Sequence, residues 1–241
     1  MPQIGGTSET IAADGDRAVG LVYSEGSIYW VNHFRGDIRA ADVTTKVART
    51  IGTTALDLAD LVLLGDTLYA PSLNDGTVVR VLKSGGTPET IATGQTSAVA
   101  IAADDRFLYW VTRKTGGTVV RMDPSNGTLL TLADGQAQPI SVAADGSYVY
   151  WATYDAGGIF RVPRDGGSVQ PLAQAIKATS VAVDARGIAW TAGSSVWEAR
   201  ADGSQAVEIA LGQVTPEDAV LDPAWIYWCN FEAGSVVRAG R

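Results

Sequence analysis

The sequence has little reactive chemistry. It holds one cysteine, Cys229, and one histidine, His33, in 241 residues. A lone cysteine forms no internal disulfide and no thiolate metal cluster, and a lone histidine excludes every multi-histidine metal centre. No run approaches the roughly 18 to 20 apolar residues of a bilayer-crossing helix. Basic residues are also scarce: 18 lysines and arginines face 26 acids, for a net charge of −8. They form no cluster, which argues against general nucleic-acid binding or docking on anionic lipid. Residues Met1 to Gly6 lack the charged and apolar regions of a leader. The chain as written therefore reads as cytoplasmic, with removal of an export leader as the alternative, and its location stays open. What is present is core material: 46% hydrophobic and 18% charged residues, the composition of a globular domain rather than a disordered chain.

That material is arranged as a repeat. Tyr29-Trp30, Tyr109-Trp110, Tyr150-Trp151 and Tyr227-Trp228 recur, with Ala189-Trp190 weakened and Leu68-Tyr69-Ala70 filling the remaining gap. The second positions of these pairs are 40, 40, 41, 39 and 38 residues apart, so six copies use the whole chain. Each copy reads as four short strands. In the fourth these are 140–144, 148–152, 159–162 and 169–172, punctuated by Asp145-Gly146, Gly157-Gly158 and Asp165-Gly166-Gly167. No helical period is sustained. The expected fold is all-β: a single six-bladed β-propeller over residues 1–241, with four antiparallel strands per blade and blades starting near 18, 58, 98, 139, 178 and 216.

The ends suggest how such a ring closes. After the sixth aromatic pair only one further strand remains, at 235–238. Residues 5–12, GGTSETIA, match 85–92, GGTPETIA, at seven of eight positions. The N-terminal segment, within 1–15, is therefore expected to supply the missing outer strand of blade six and to complete the domain.

The runs Tyr29-Trp30-Val31-Asn32, Tyr109-Trp110-Val111-Thr112, Tyr150-Trp151-Ala152-Thr153 and Tyr227-Trp228-Cys229-Asn230 resemble the YWTD repeat of low-density-lipoprotein-receptor propellers, without that motif's aspartate. Gly76-Thr77-Val78-Val79-Arg80 and Gly117-Thr118-Val119-Val120-Arg121 extend the likeness to bacterial YWTN-type repeats. The resemblance implies a fold. It does not imply one function, because propellers host binding modules, lyases, lactonases and phosphotriesterases alike.

Function is sought where the blades differ. Antiparallel order puts the start of each inner strand and the end of each second strand on one face, around the channel mouth, and puts the Asp-Gly hairpins on the other. Asp145, Asp184 and Asp222 on that far side read as turn residues. One inner-strand column holds Gly20, Asp60, Ala100, Ser141, Ser180 and Asp218, and the preceding column holds Glu217 only in blade six. A carboxylate facing a channel serves as a cation ligand, as a general base, or simply as a partner of water and a backbone amide. A third column, Asn32, Ser72, Thr112, Thr153, Ala192 and Asn230, reads as side chains bonding the adjoining loop. Beyond it the loops diverge: His33, Phe34 and Arg35 in blade one, Arg113 and Lys114 in blade three, Tyr154 and Asp155 in blade four, Phe231 and Glu232 in blade six.

Blades six and one are neighbours in a closed ring, so His33, Phe34, Arg35, Phe231, Glu217 and Asp218 are expected to converge. Asn32, Phe34, Arg35, Arg113, Tyr154, Asn230 and Phe231 are the candidate ligand-binding residues. His33, Glu217, Asp218 and Asp60 are the candidates for acid-base catalysis. Pro216 to Asp222 resembles the aspartate-bearing stretch of lactonase-like propellers, with Glu217 in the aspartate's place, but the other blades offer no carboxylate at that position. A calcium-type divalent site is thus weakly supported, and no cofactor or metal is expected. Streptogramin-lyase-like propellers use more than one histidine, and no Gly-x-Ser-x-Gly nucleophile elbow occurs. The expected role is a rigid, monomeric binding module for a carbohydrate, a small polar or aromatic molecule, or a protein loop. A hydrolase or lyase at the same mouth and a structural envelope domain are the alternatives.

The remaining repeats read as structural. Arg80, Arg121, Arg161 and Arg238 recur on the third strand, with Glu198 in blade five, and suggest repeated inter-blade contacts. Cys229, inside an apolar strand, reads as a small buried hydrophobe.

Overall fold

A computed structural model of the chain describes residues 9–13, 17–54, 57–155 and 157–241. Every regular element among them is a β-strand. The hairpins show why. Asp145 Oδ1 accepts the N–H groups of Ser147 and Tyr148, both at 2.8 Å. Gly146 between them has φ 81°, a conformation that glycine adopts without steric cost. Asp184 and Asp222 hold their turns in the same way, as the sequence suggests, and so does Asp104.

The strands form six antiparallel sheets in chain order, the expected six-bladed β-propeller. Blade one comprises Ala18–Ser24, Ser27–Asn32, Asp37–Asp42 and Ala48–Thr53. The inner strands of the following blades are Val62–Leu64, Ala98–Ala103, Pro139–Ala144, Ala178–Asp184 and Pro216–Leu221. Blade six has three strands among the described residues, ending in Ser235–Gly240. The segment expected to complete it, 5–12, lies partly outside the described residues. Its described part carries no strand, and Glu9 forms an ion pair with Lys46 in the outer turn of blade one.

The core lies between blades. Within each aromatic pair the tyrosine faces the following blade and the tryptophan the preceding one, because successive strand residues point to opposite faces. Tyr69 shares a cluster with Trp110, Tyr109 with Trp151, and Tyr150 with Trp190. Burying such rings contributes at least ~1.5–3 kcal/mol each. Their polar tips are satisfied across fixed distances in the chain. The indole N–H groups of Trp110, Trp151 and Trp228 donate to Gln95, Gln136 and Gln213 at 2.9–3.0 Å, each fifteen residues earlier in the preceding blade. The hydroxyls of Tyr109, Tyr150 and Tyr227 donate to the turn aspartates Asp104, Asp145 and Asp222 at 2.6–2.7 Å.

Two of the four recurring arginines join blades, while Arg80 pairs with Glu89 and Arg238 lies over Trp225 within their own blades. Arg121 donates to the Arg164 carbonyl and Arg161 to that of Ala201, both 2.8 Å away in the next blade. In blade five, where Glu198 takes this position, the next blade supplies the cation instead. Arg241, its side chain wholly buried, reaches Glu198 at 2.6 Å and Asp184 at 3.0 Å. Of the two tryptophans outside the repeat, Trp197 is half-buried and stacks on Trp190 at 6.1 Å, and Trp225 is half-buried beneath Arg238 at 4.2 Å.

Candidate functional site

The inner-strand column that singles out Asp60 and Asp218 turns out to be a set of inter-blade staples. Asp60 Oδ2 accepts the N–H of Ile101 in blade three at 3.0 Å, while its Oδ1 accepts Leu61 N–H at 2.8 Å. Ser141 Oγ accepts Val181 N–H at 3.1 Å, and Ser180 Oγ accepts Ala219 N–H at 2.9 Å. In each case a short acceptor on one inner strand holds an amide of the next. Gly20 belongs to the same column, and a Cβ there would run into the Leu61 amide nitrogen. No hydrogen bond among the described residues reaches Asp218, which sits at φ 51°. That is a left-handed conformation uncommon for any residue with a side chain, though aspartate tolerates it better than most.

Three carboxyls thus collect at the channel. Burial pushes Asp60 up to about 7, against the pull of its two backbone N–H partners and with a small repulsion from Asp218. Burial also raises Glu217, helped by repulsion from Asp218 and opposed by Arg113 across the channel. Asp218 is raised by burial. Cys229 is half-buried rather than a core residue, and its thiol is raised by burial and by the nearby Asp218 and Glu217. A carboxyl that stays protonated near neutrality can give or take a proton, which is what general acid-base chemistry requires. Asp60, however, has both oxygens committed to backbone amides. Among the described residues no group of three or more His, Cys, Asp or Glu could hold a metal ion.

His33 does not join Glu217 and Asp218. It is buried and turns toward blade two, where Nδ1 lies 2.6 Å from the Leu58 carbonyl oxygen and Nε2 lies 3.1 Å from Asp57 Oδ1. Asn74 Nδ2 donates to the other oxygen of Asp57 at 2.5 Å. This departure from the expected convergence has a physical cause. The Leu58 carbonyl and the Asp57 carboxylate beside the ring hold it away from the mouth, and both lie some 25 residues away in sequence.

Asn32 and Asn230 are likewise buried beneath the loops. Asn32 accepts the Trp30 indole N–H at 3.2 Å, and Asn230 donates to Gln213 at 3.1 Å. Thr112 accepts the Thr118 N–H at 2.9 Å. This column holds the scaffold under the mouth.

The loops above it are open. Phe34 is 63% and Phe231 71% exposed. Arg17 lies over the Phe34 ring at 5.2 Å, and the His33 ring lies 4.8 Å from it. Arg35 reaches the buried Asp37 at 3.4 Å. In blades three and four Arg113 lies over Tyr154 at 5.8 Å, and Gln138 donates to Asp155. Both phenylalanine loops are pinned by backbone bonds: Gly36 to Asn32 at 2.9 Å, His33 to Arg17 at 3.2 Å and Phe231 to Thr215 at 3.0 Å. The sequence reading missed Asp57, Arg17 and the three glutamines. The glutamines had a visible signal, a fixed fifteen-residue spacing before tryptophan.

A family model described as Lactonase, 7-bladed beta-propeller, matches residues 80–187, from the third strand of blade two into blade five. No curated protein matches the chain. Among solved structures, a chain of the nidogen/laminin complex aligns with TM-score 0.72 at 17% identity, covering 89% of this chain and 88% of that one. The chain is a six-bladed β-propeller whose aromatic repeats resemble the YWTD type. The calcium-binding protein regucalcin from Agrobacterium tumefaciens aligns with TM-score 0.71 at 13% identity, covering 94% and 90%. The computationally designed Ika8 protein aligns with TM-score 0.73 at 14% identity, covering 93% and 71%. At these identities the likeness is one of fold.

Proposed function

We propose that this propeller is a rigid binding module whose mouth-face loops in blades six and one take a ligand by stacking on Phe34 and Phe231. The observation that carries this reading is the exposure of two phenylalanines on loops whose backbones are already fixed. An aromatic ring held in water by an ordered loop gains free energy only when something covers it. Pre-ordering also lowers the entropy lost on binding. Arg17 and Arg35 beside Phe34 supply donors that orient a polar ligand. The ligand classes that suit the surface are a carbohydrate, a small polar or aromatic molecule, and a protein loop. The test is a screen of labelled protein on glycan and peptide arrays, followed by titration of any hit. Phe34→Ala and Phe231→Ala should each weaken binding about ten- to thirty-fold without changing the melting curve. Binding indifferent to both substitutions would overturn the assignment.

A hydrolase reading is favoured by the lactonase-model match and by the Asp60 carboxyl at about 7. It predicts turnover of simple lactones that falls at least a hundredfold in Asp60→Asn and Glu217→Gln. Absence of turnover in the unaltered protein, with calcium supplied, would sink it.

A further inference from the structure

We infer that the partner of this mouth is a second copy of the chain, the two propellers stacked face to face about a two-fold axis lying between blades six and one. The inference rests on the reading of the mouth as a binding face and names its occupant. Its starting point is the sign of the exposed charge on the described mouth loops. The loops between second and third strands offer Arg35 (which also reaches Asp37 at 3.4 Å), Asp75, Lys114, Asp155 and Glu232 in blades one, two, three, four and six, and the connection entering blade five offers Lys177, all exposed. The sign alternates around the ring. Lys114 and Lys177 carry no ion pair among the described residues, whereas Lys83, Arg164 and Arg241, on the opposite side of the molecule, are each paired with carboxylates.

Alternation of this kind has a geometric consequence. A two-fold axis in the plane of the ring and between blades six and one places blade one over the partner's six, two over five, and three over four. Every one of those contacts joins opposite charges: Arg35 with Glu232, Asp75 with Lys177, and Lys114 with Asp155. An axis through a blade would instead set like over like, and among the axes between neighbouring blades, all of which join opposites, the one between six and one is singled out by its exposed phenylalanines. The interface is isologous, so each contact occurs twice, and the axis also brings Phe34 of one copy to Phe231 of the other. Apolar rings within a border of complementary charge are the arrangement found in specific interfaces. A small ligand would touch one sector of the ring, whereas only a face of similar size can use the whole alternation.

The test is sedimentation equilibrium of the intact chain from about 1 to 500 μM, at low and at moderate salt. The expected result is a monomer–dimer equilibrium whose dissociation constant rises at least tenfold with salt, because rim charges are screened over about 10 Å. Lys114→Glu should weaken the dimer a further tenfold or more. Adding Asp155→Lys to it should restore association, since each reversed charge then meets the other across the axis. Adding Asp75→Lys instead should not. Melting curves check that each variant is folded. A monomer throughout the range, a dimer indifferent to Lys114→Glu, or rescue by Asp75→Lys would each overturn the inference. Retention on a glycan or peptide array by a protein that never dimerises would leave the mouth as a binding face while removing the second copy as its partner.

Discussion

Blades three to five and the seam between blades six and one are made from one repeat and pack to opposite degrees. Ile101, Val142 and Val181, at one inner-strand position in blades three to five, are all buried, and Leu61 and Ala219 in blades two and six are buried too. Leu21 holds the same position in blade one and is 72% exposed. On the other side of the seam Val220 and Val236 are open as well. Trp110 and Trp151 are tied to the preceding blade by glutamines, but Trp30 turns to Asn32 in its own blade, the residue fifteen positions earlier being Gly15. A side chain's local sequence therefore does not set its worth. The neighbouring blade does, and blades six and one offer each other less.

That contrast is sharpest in the core. Leu61→Ala should cost about 2–5 kcal/mol in urea unfolding, as large-to-small changes in packed interiors do. Leu21→Ala, at the equivalent position, should change stability by no more than about 0.5 kcal/mol. Equal losses would mean that the six–one seam is packed like the others. The seam between blades five and six has an electrostatic counterpart. Arg241→Ala leaves Asp184 and Glu198 without their shared cation and should cost about 3 kcal/mol, with Arg241→Lys recovering only part because an ammonium does not span both acids.

The smallest effect concerns the channel. Folding raises the Asp60 carboxyl from 3.8 to about 7, so the folded chain holds this proton more tightly than the unfolded chain does. The resulting stabilisation is full below about pH 4 and is lost as pH climbs through 7. Partial exposure reduces it to about 1–2 kcal/mol. Asp60→Ser, which installs the acceptor that blades four and five use, should keep the Ile101 contact and flatten the stability profile between pH 4 and 8. A profile unchanged by the substitution would show that Asp60 does not titrate in that window.

The repeats, their strands and their turn aspartates were legible because they depend on residues within about forty of one another. The inner-strand column was visible as a set of unusual residues. Its role as an acceptor for the next blade was not, since nothing in the spacing tells how closely two inner strands approach. His33 looked like an exposed loop residue for a similar reason. Asp57 and Leu58, which draw it inward, belong to another blade, and contacts between blades follow from the curvature of the ring. Phe34 and Phe231 were read as mouth residues from loop position alone, and their open rings follow from the short, bonded loops that carry them.

The staples at Asp60, Ser141 and Ser180 act together as a hoop. A pull on any outer strand is passed along the circumference from one inner strand to the next, not across the open centre. Outer strands can therefore fray and re-form while the inner strands stay joined from blade two to blade three and from blade four to blade six. Whatever enters or covers the channel meets a fixed edge along those two arcs.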